Sequence, residues 1–120
     1  PERLPLEFSS FSPLESGHWE FYPPDAERFP CWRLAYDALA MGDFYPAVLN
    51  AANEIAVQAF LDGVISYIDI AALNVAVLDL AARERTAESA VYIQDVLRID
   101  AWARDAAAAM IKTNSIPHRS

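Results

Sequence analysis

The sequence is short of the residues that most chemistry and most membranes require. It has one cysteine, Cys31, so it can form no intrachain disulfide, which fits a reducing compartment. Its three glycines, Gly17, Gly42 and Gly63, are too scattered to cradle a phosphate. The two histidines, His18 and His118, lie near opposite ends without a second ligand at metal-binding spacing. Nine basic residues stand against seventeen acidic ones, giving a net charge of -8 and a pI near 4.5. Phosphate backbones are held by clustered Lys and Arg, so a nucleic-acid partner is not expected. No apolar run approaches the ~20 residues that span a bilayer, so no membrane partner is expected either. The chain opens at Pro1 with no Met and no leader-like segment, and reads as a piece of a longer product.

What is present is a large apolar share, 54% of 120 residues, enough for one domain with a real core. Residues 1–27 are distinct. Proline is concentrated there, which favours extended chain and turns. Leu4, Leu6, Phe8, Phe11, Trp19, Phe21 and Tyr22 make the stretch too apolar for a free linker. The expectation is an arm packed on a neighbouring surface, either the helices that follow or another domain. The alternation of Leu4, Leu6 and Phe8 permits a short strand.

From Pro30 the pattern is helical. A first helix runs from Pro30, suited to the first helical position, to a stop at Gly42. Trp32, Ala35, Leu39 and Ala38 give its apolar positions. The second covers about 46–61 and is closed by Gly63; the third covers about 69–83, with Ile70, Leu73, Val77, Leu80 and Ala81 as its stripe. A polar loop, 83–90, follows. Residues 93–97 allow one short helical turn. Asp100 is read as the N-cap of a last helix, 101–112. Residues 113–120 are read as a flexible tail. The fold class is therefore all-α: an antiparallel four-helix bundle over 28–112, preceded by an extended Pro-rich arm.

The second helix carries an anomaly. Asn50, Asn53 and Glu54 interrupt it, although Asn is a poor interior helix residue. On a helical wheel they share a side with Val57 and Leu61, opposite Val48, Ala52, Ile55 and Ala59. A helix apolar nearly all round is expected to be buried on both sides, and buried amides need partners. Asn50, Asn53 and Glu54 are thus candidates for a structural polar clamp holding the arm or a loop onto this helix. Replacing Asn53 with Leu should then destabilise the domain. Spacing alone leaves open that all three face water. A catalytic role is weaker, for want of a nucleophile, a paired carboxylate or a nearby histidine. A metal role lacks a second ligand at a fixed offset.

Other candidates have bland readings. Cys31 lies at a helix N-terminus, where a thiolate gains stability, but a buried small residue is the commoner case. Trp32, Trp102 and Tyr36 could wall a binding site, yet aromatic residues at helical spacing usually form core.

The stretches ERFPCWRLAYDAL, AVLNAANEIAVQAFL, YIDIAALNVAVLDL and IQDVLRIDAWAR, in this order, resemble the C-terminal part of the 1-deoxy-D-xylulose 5-phosphate reductoisomerases. The arm PLEFSSFSPLESGHWEFYPPD resembles that family's linker to its helical tail. LNAANE is the most specific match. The resemblance implies a parent enzyme with an NADPH-binding domain, a catalytic domain and a C-terminal helical bundle. It implies a divalent metal, Mg2+ or Mn2+, and a homodimer. The implied reaction rearranges and reduces 1-deoxy-D-xylulose 5-phosphate to 2-C-methyl-D-erythritol 4-phosphate, on the non-mevalonate route to isoprenoids. A bacterial cytoplasm is favoured over a plastid stroma.

The family's nucleotide turn, metal ligands and phosphate-binding residues belong upstream, so no catalytic, cofactor or metal residue is carried onto this chain. Two departures stand out: extra residues around Glu15 to Trp19, and Ile68 where the family often has a capping Thr, which should blur that helix start. The function expected is a brace for the parent's catalytic domain. The alternative is a free-standing helical protein-interaction module.

Overall fold

The computed structural model describes residues 12, 14, 17–84 and 92–117. Among these there are four helices and no strand: α1 (Pro30–Met41), α2 (Tyr45–Leu61), α3 (Tyr67–Glu84) and α4 (Ile93–Lys112). The strand considered for Leu4 to Phe8 lies outside the described residues, as does most of the 83–90 loop.

Local chemistry sets the boundaries. Asp25 Oδ1 accepts the backbone N–H groups of Glu27 and Arg28 at 2.9 and 3.0 Å, turning the chain into α1. Gly42 ends α1 at φ 74 and ψ -159, a region closed to residues with a Cβ. Gly63, at φ 71, closes α2 in a Schellman arrangement: its N–H reaches Phe60 O at 3.0 Å, and Val64 N–H reaches Ala59 O at 2.8 Å.

The start of α3 is well fixed despite Ile68. Asp69 Oδ2 accepts both the N–H and the hydroxyl of Ser66, at 2.9 and 2.7 Å. The cap lies two residues before Ile68, so the missing Thr does not blur the start.

α4 corrects two expectations. The short turn at 93–97 and the helix placed at 101–112 are one continuous helix. Its start is held by Asp95, whose carboxylate accepts the Tyr92 N–H at 3.0 Å. Asp100 is no N-cap; it sits inside the helix and binds Arg104 one turn on. The segment after α4 is also not simply a tail. Asn114 adopts φ 50, Ser115 N–H bonds Met110 O at 3.0 Å, and Asn114 N–H bonds Ile111 O at 3.1 Å. This Schellman closure returns the chain so that Ile116, 6% exposed, enters the core.

α2 lies centrally and packs against α1, α3 and α4; α3 also packs on α1 and α4. Its buried positions are Val48, Ala51, Ala52 and Ala56. Across from it stand Ile70, Leu73, Val77, Leu78 and Ala81 of α3, and Ile99, Ala103 and Ala107 of α4. Alanines make up much of this contact, beside the larger Val48, Leu73, Val77 and Ile99.

Two faces differ from the wheel readings. α1 buries Ala38 and half-buries Cys31 and Leu34, while Trp32, Tyr36 and Leu39 are exposed. The face with Cys31, Leu34 and Ala38 packs inward in place of the one with Trp32, Ala35 and Leu39, so α1 is rotated from the expected face. Trp102, by contrast, does pack against the core. The second side of α2 is open: Asn50 is exposed, and Leu61 is 69% exposed. The core supplied by α3 and α4 covers only the alanine-rich side. The described arm residues are exposed as well, Phe21 at 88% and Tyr22 at 77%.

Candidate interhelical polar site

Asn50 and Glu54 are one turn apart on α2, and the Asn50 Nδ2 group donates to Glu54 Oε1 at 3.0 Å. The other Glu54 oxygen accepts from Arg104 Nη2 of α4 at 2.7 Å. Arg104 is held in turn by Asp100: Nε reaches Oδ2 at 2.7 Å and Nη2 reaches Oδ1 at 3.3 Å. This forked pairing fixes the guanidinium and aims a second Nη2 hydrogen across to α2. The chain Asn50–Glu54–Arg104–Asp100 therefore links two helices at their half-exposed rim.

The electrostatics follow. The hydrogen bond from Arg104, then that from Asn50, hold the Glu54 carboxyl below its usual range. Asp100 first, then Glu54, push the Arg104 guanidinium further up, so it stays charged. Because the folded Glu54 pKa is depressed, its contribution is present above the unfolded value, about 4.3, and drains away as pH falls through the folded one. Glu54→Gln is expected to lower the melting temperature slightly at neutral pH and low salt, and by less at high salt, and to flatten its fall below about pH 5. A profile identical to that of the parent chain would remove the ion pair from the account.

Asn53 points the other way, to α3. Its Oδ1 accepts from Asn74 Nδ2 at 3.0 Å. Asn74 is 1% exposed, among the largest fully buried side chains. Its Nδ2 also lies 3.9 Å from Cys31 Sγ of α1. Its Oδ1 is buried with no partner among the described residues. Exchanging the two ends of both amides leaves one Asn74 polar atom unpaired just the same. Burial raises the Cys31 pKa, opposed in part by the Asn74 contact, so the thiol is not an activated one.

The three sequence candidates thus belong to two separate sets of contacts. Glu54 reaches α4 and carries Asn50 behind it on α2, while Asn53 reaches α3. Among the described residues their partners are helix side chains. Asn74 and Arg104 were not singled out from sequence. Asn74 lies on the α3 stripe, four residues after Ile70, where a polar residue stands out. Arg104 stands four residues after Asp100, the spacing of a helical ion pair. Among the described residues no group of three His, Cys, Asp or Glu side chains converges to hold a metal. No helix is long and apolar enough to cross a membrane.

Four helices joined through side-chain amides and one guanidinium define an all-helical domain, and known proteins carry its like. The DXP reductoisomerase C-terminal domain family matches residues 1–106, and the chain belongs to that family. The 1-deoxy-D-xylulose 5-phosphate reductoisomerase of Trichlorobacter lovleyi is 44% identical over 113 residues, covering 94% of this chain and 28% of the relative. The enzyme of the same name from Chlorobium chlorochromatii is 51% identical over 87 residues, 72% of this chain and 22% of the relative. Among solved structures, the reductoisomerase of Zymomonas mobilis in complex with NADPH superposes with a TM-score of 0.76 at 39% identity, covering 92% of this chain and 28% of that one. The chain thus spans about a quarter of the length of these relatives.

Proposed function

We propose that this chain is the C-terminal helical domain of a larger 1-deoxy-D-xylulose 5-phosphate reductoisomerase, and that it braces the catalytic region. The observation that carries this reading is the match over residues 1–106, which takes in arm and helices together. A free-standing interaction module leaves that joint match unexplained. NADPH and a divalent metal, Mg2+ or Mn2+, would be held by the rest of the parent protein, in a homodimer in the bacterial cytoplasm. The helices would run as an antiparallel bundle, consistent with the short connections at 42–44 and 62–66. The Pro-rich arm would lie extended on the catalytic region, which gives its exposed Trp19, Phe21 and Tyr22 a surface to cover them.

Within such a protein the domain's own residues do positional work. Asn53–Asn74 and Glu54–Arg104 lock α2 to α3 and to α4, so the helices move as one body. A rigid body behind catalytic loops holds them in register, where displacements of about 1 Å can cost about a hundredfold in rate.

A chimera tests the reading: this chain replaces the matching segment of the Zymomonas mobilis enzyme. NADPH-dependent turnover is expected to persist in the chimera and to vanish when the segment is deleted. A folded chimera as inactive as the deletion would sink it.

A further inference from the structure

α1, α2 and α3 enclose an open cleft of ≈ 350 Å³, lined among others by Cys31, Pro46, Leu49, Asn50, Asn53 and Asn74. No charged side chain lines it. A phosphate, a carboxylate or a metal ion would find no counter-charge there. What the cleft offers is a neutral pair of opposite hydrogen-bonding character. Asn74 Oδ1 is a buried acceptor without a donor. Asn53, whose Oδ1 is taken by Asn74, keeps its Nδ2 donor free of any acceptor among the described residues. A peptide unit presents the complement, one N–H and one C=O. Beside the amides, Leu49 and Pro46 supply an apolar floor, as a peptide groove needs.

We propose that this cleft is a docking site for an extended main-chain segment of the parent's catalytic region, held by Asn53 and Asn74 as substitutes for a neighbouring strand. The proposal rests on the bracing function above and specifies where the contact is made. The arm is a poorer occupant, since its described residues from Gly17 to Asp25 are exposed. The orphaned acceptor has a reason under this assignment. A buried polar atom without a partner costs about 1–3 kcal/mol, and in native proteins such atoms are few and each calls for a partner or a role.

Cys31 lines the cleft and is the only cysteine of the chain, so it reports on occupancy. Its rate of alkylation by iodoacetamide can be followed by peptide mass spectrometry in the isolated chain and in the chimera. The rate scales with the fraction of time the cleft stands open, and is expected to be about tenfold lower in the chimera. Asn53→Ala should restore fast labelling there, whereas Gln58→Ala, outside the cleft, should not. Equal rates in the isolated chain and the chimera would overturn the proposal.

Hydrogen exchange separates this failure from failure of the bracing reading. Protection of other helix faces with Cys31 unchanged leaves the brace and removes the cleft. No added protection anywhere in the chimera removes both. Faster labelling after deletion of residues 1–27 from the isolated chain would make the arm the occupant and overturn the assignment. Slowing that depends on the isolated chain's concentration would do the same in favour of a second copy.

Discussion

Leu73→Ala is expected to lower the stability of the isolated chain by about 2–5 kcal/mol, the range for emptying a buried leucine site. Leu73 is 0% exposed and heads the fully buried side chains. It lies on the α3 stripe facing the alanine-rich side of α2, where neighbouring side chains are too small to close over a gap. Small domains have only about 5–15 kcal/mol in all, so the change removes a large share. Urea denaturation should show a lower midpoint at an unchanged slope. Leu61→Ala is the matched control. Leu61 is 69% exposed, so its loss should stay within about 0.5 kcal/mol. A large effect at Leu61 would mean that the second side of α2 is covered after all.

The amide pair gives the second large effect, and its signs are unequal. Asn53→Leu removes the acceptor of a fully buried amide and strands Asn74 Nδ2, at a cost of about 1–3 kcal/mol. Asn74→Leu removes the stranded Oδ1 together with its need for a donor, while the half-buried Asn53 can turn to water. It should be neutral or stabilising in the isolated chain. The double variant should recover most of what Asn53→Leu loses, with a coupling of about 1–3 kcal/mol. Thermal melts of the four chains decide it. Additive effects would show that the 3.0 Å contact contributes nothing.

These expectations mark what sequence could and could not convey. The starts and stops of α1 and α2 were legible because glycine and proline write them locally: Pro30 opens α1, and Gly42 and Gly63 close α1 and α2. α4 was split because Asp100 makes a good cap in isolation; its real partner is Arg104, a choice made one turn later in the chain. The turned face of α1 and the open side of α2 share one cause. A helix apolar on several sides does not say which side wins; in α2 the alanine-rich side did, and in α1 the side with Cys31, Leu34 and Ala38. Asn50, Asn53 and Glu54 stand out in the sequence as misplaced polarity, but the partners that Asn53 and Glu54 find on other helices lie 21 and 50 residues away. No local pattern names Asn74 as the mate of Asn53.

The alanines of α2, α3 and α4 carry a consequence of their own. Ala51, Ala52, Ala56, Ala81, Ala103 and Ala107 are all fully buried, interleaved with the larger Val48, Leu73, Val77 and Ile99. A fully buried alanine leaves little room for a larger side chain: Ala52→Val would overpack the seam. Variation over evolutionary time should thus concentrate on the outer faces, while the seam drifts only among the smallest residues and keeps the helices at one fixed spacing.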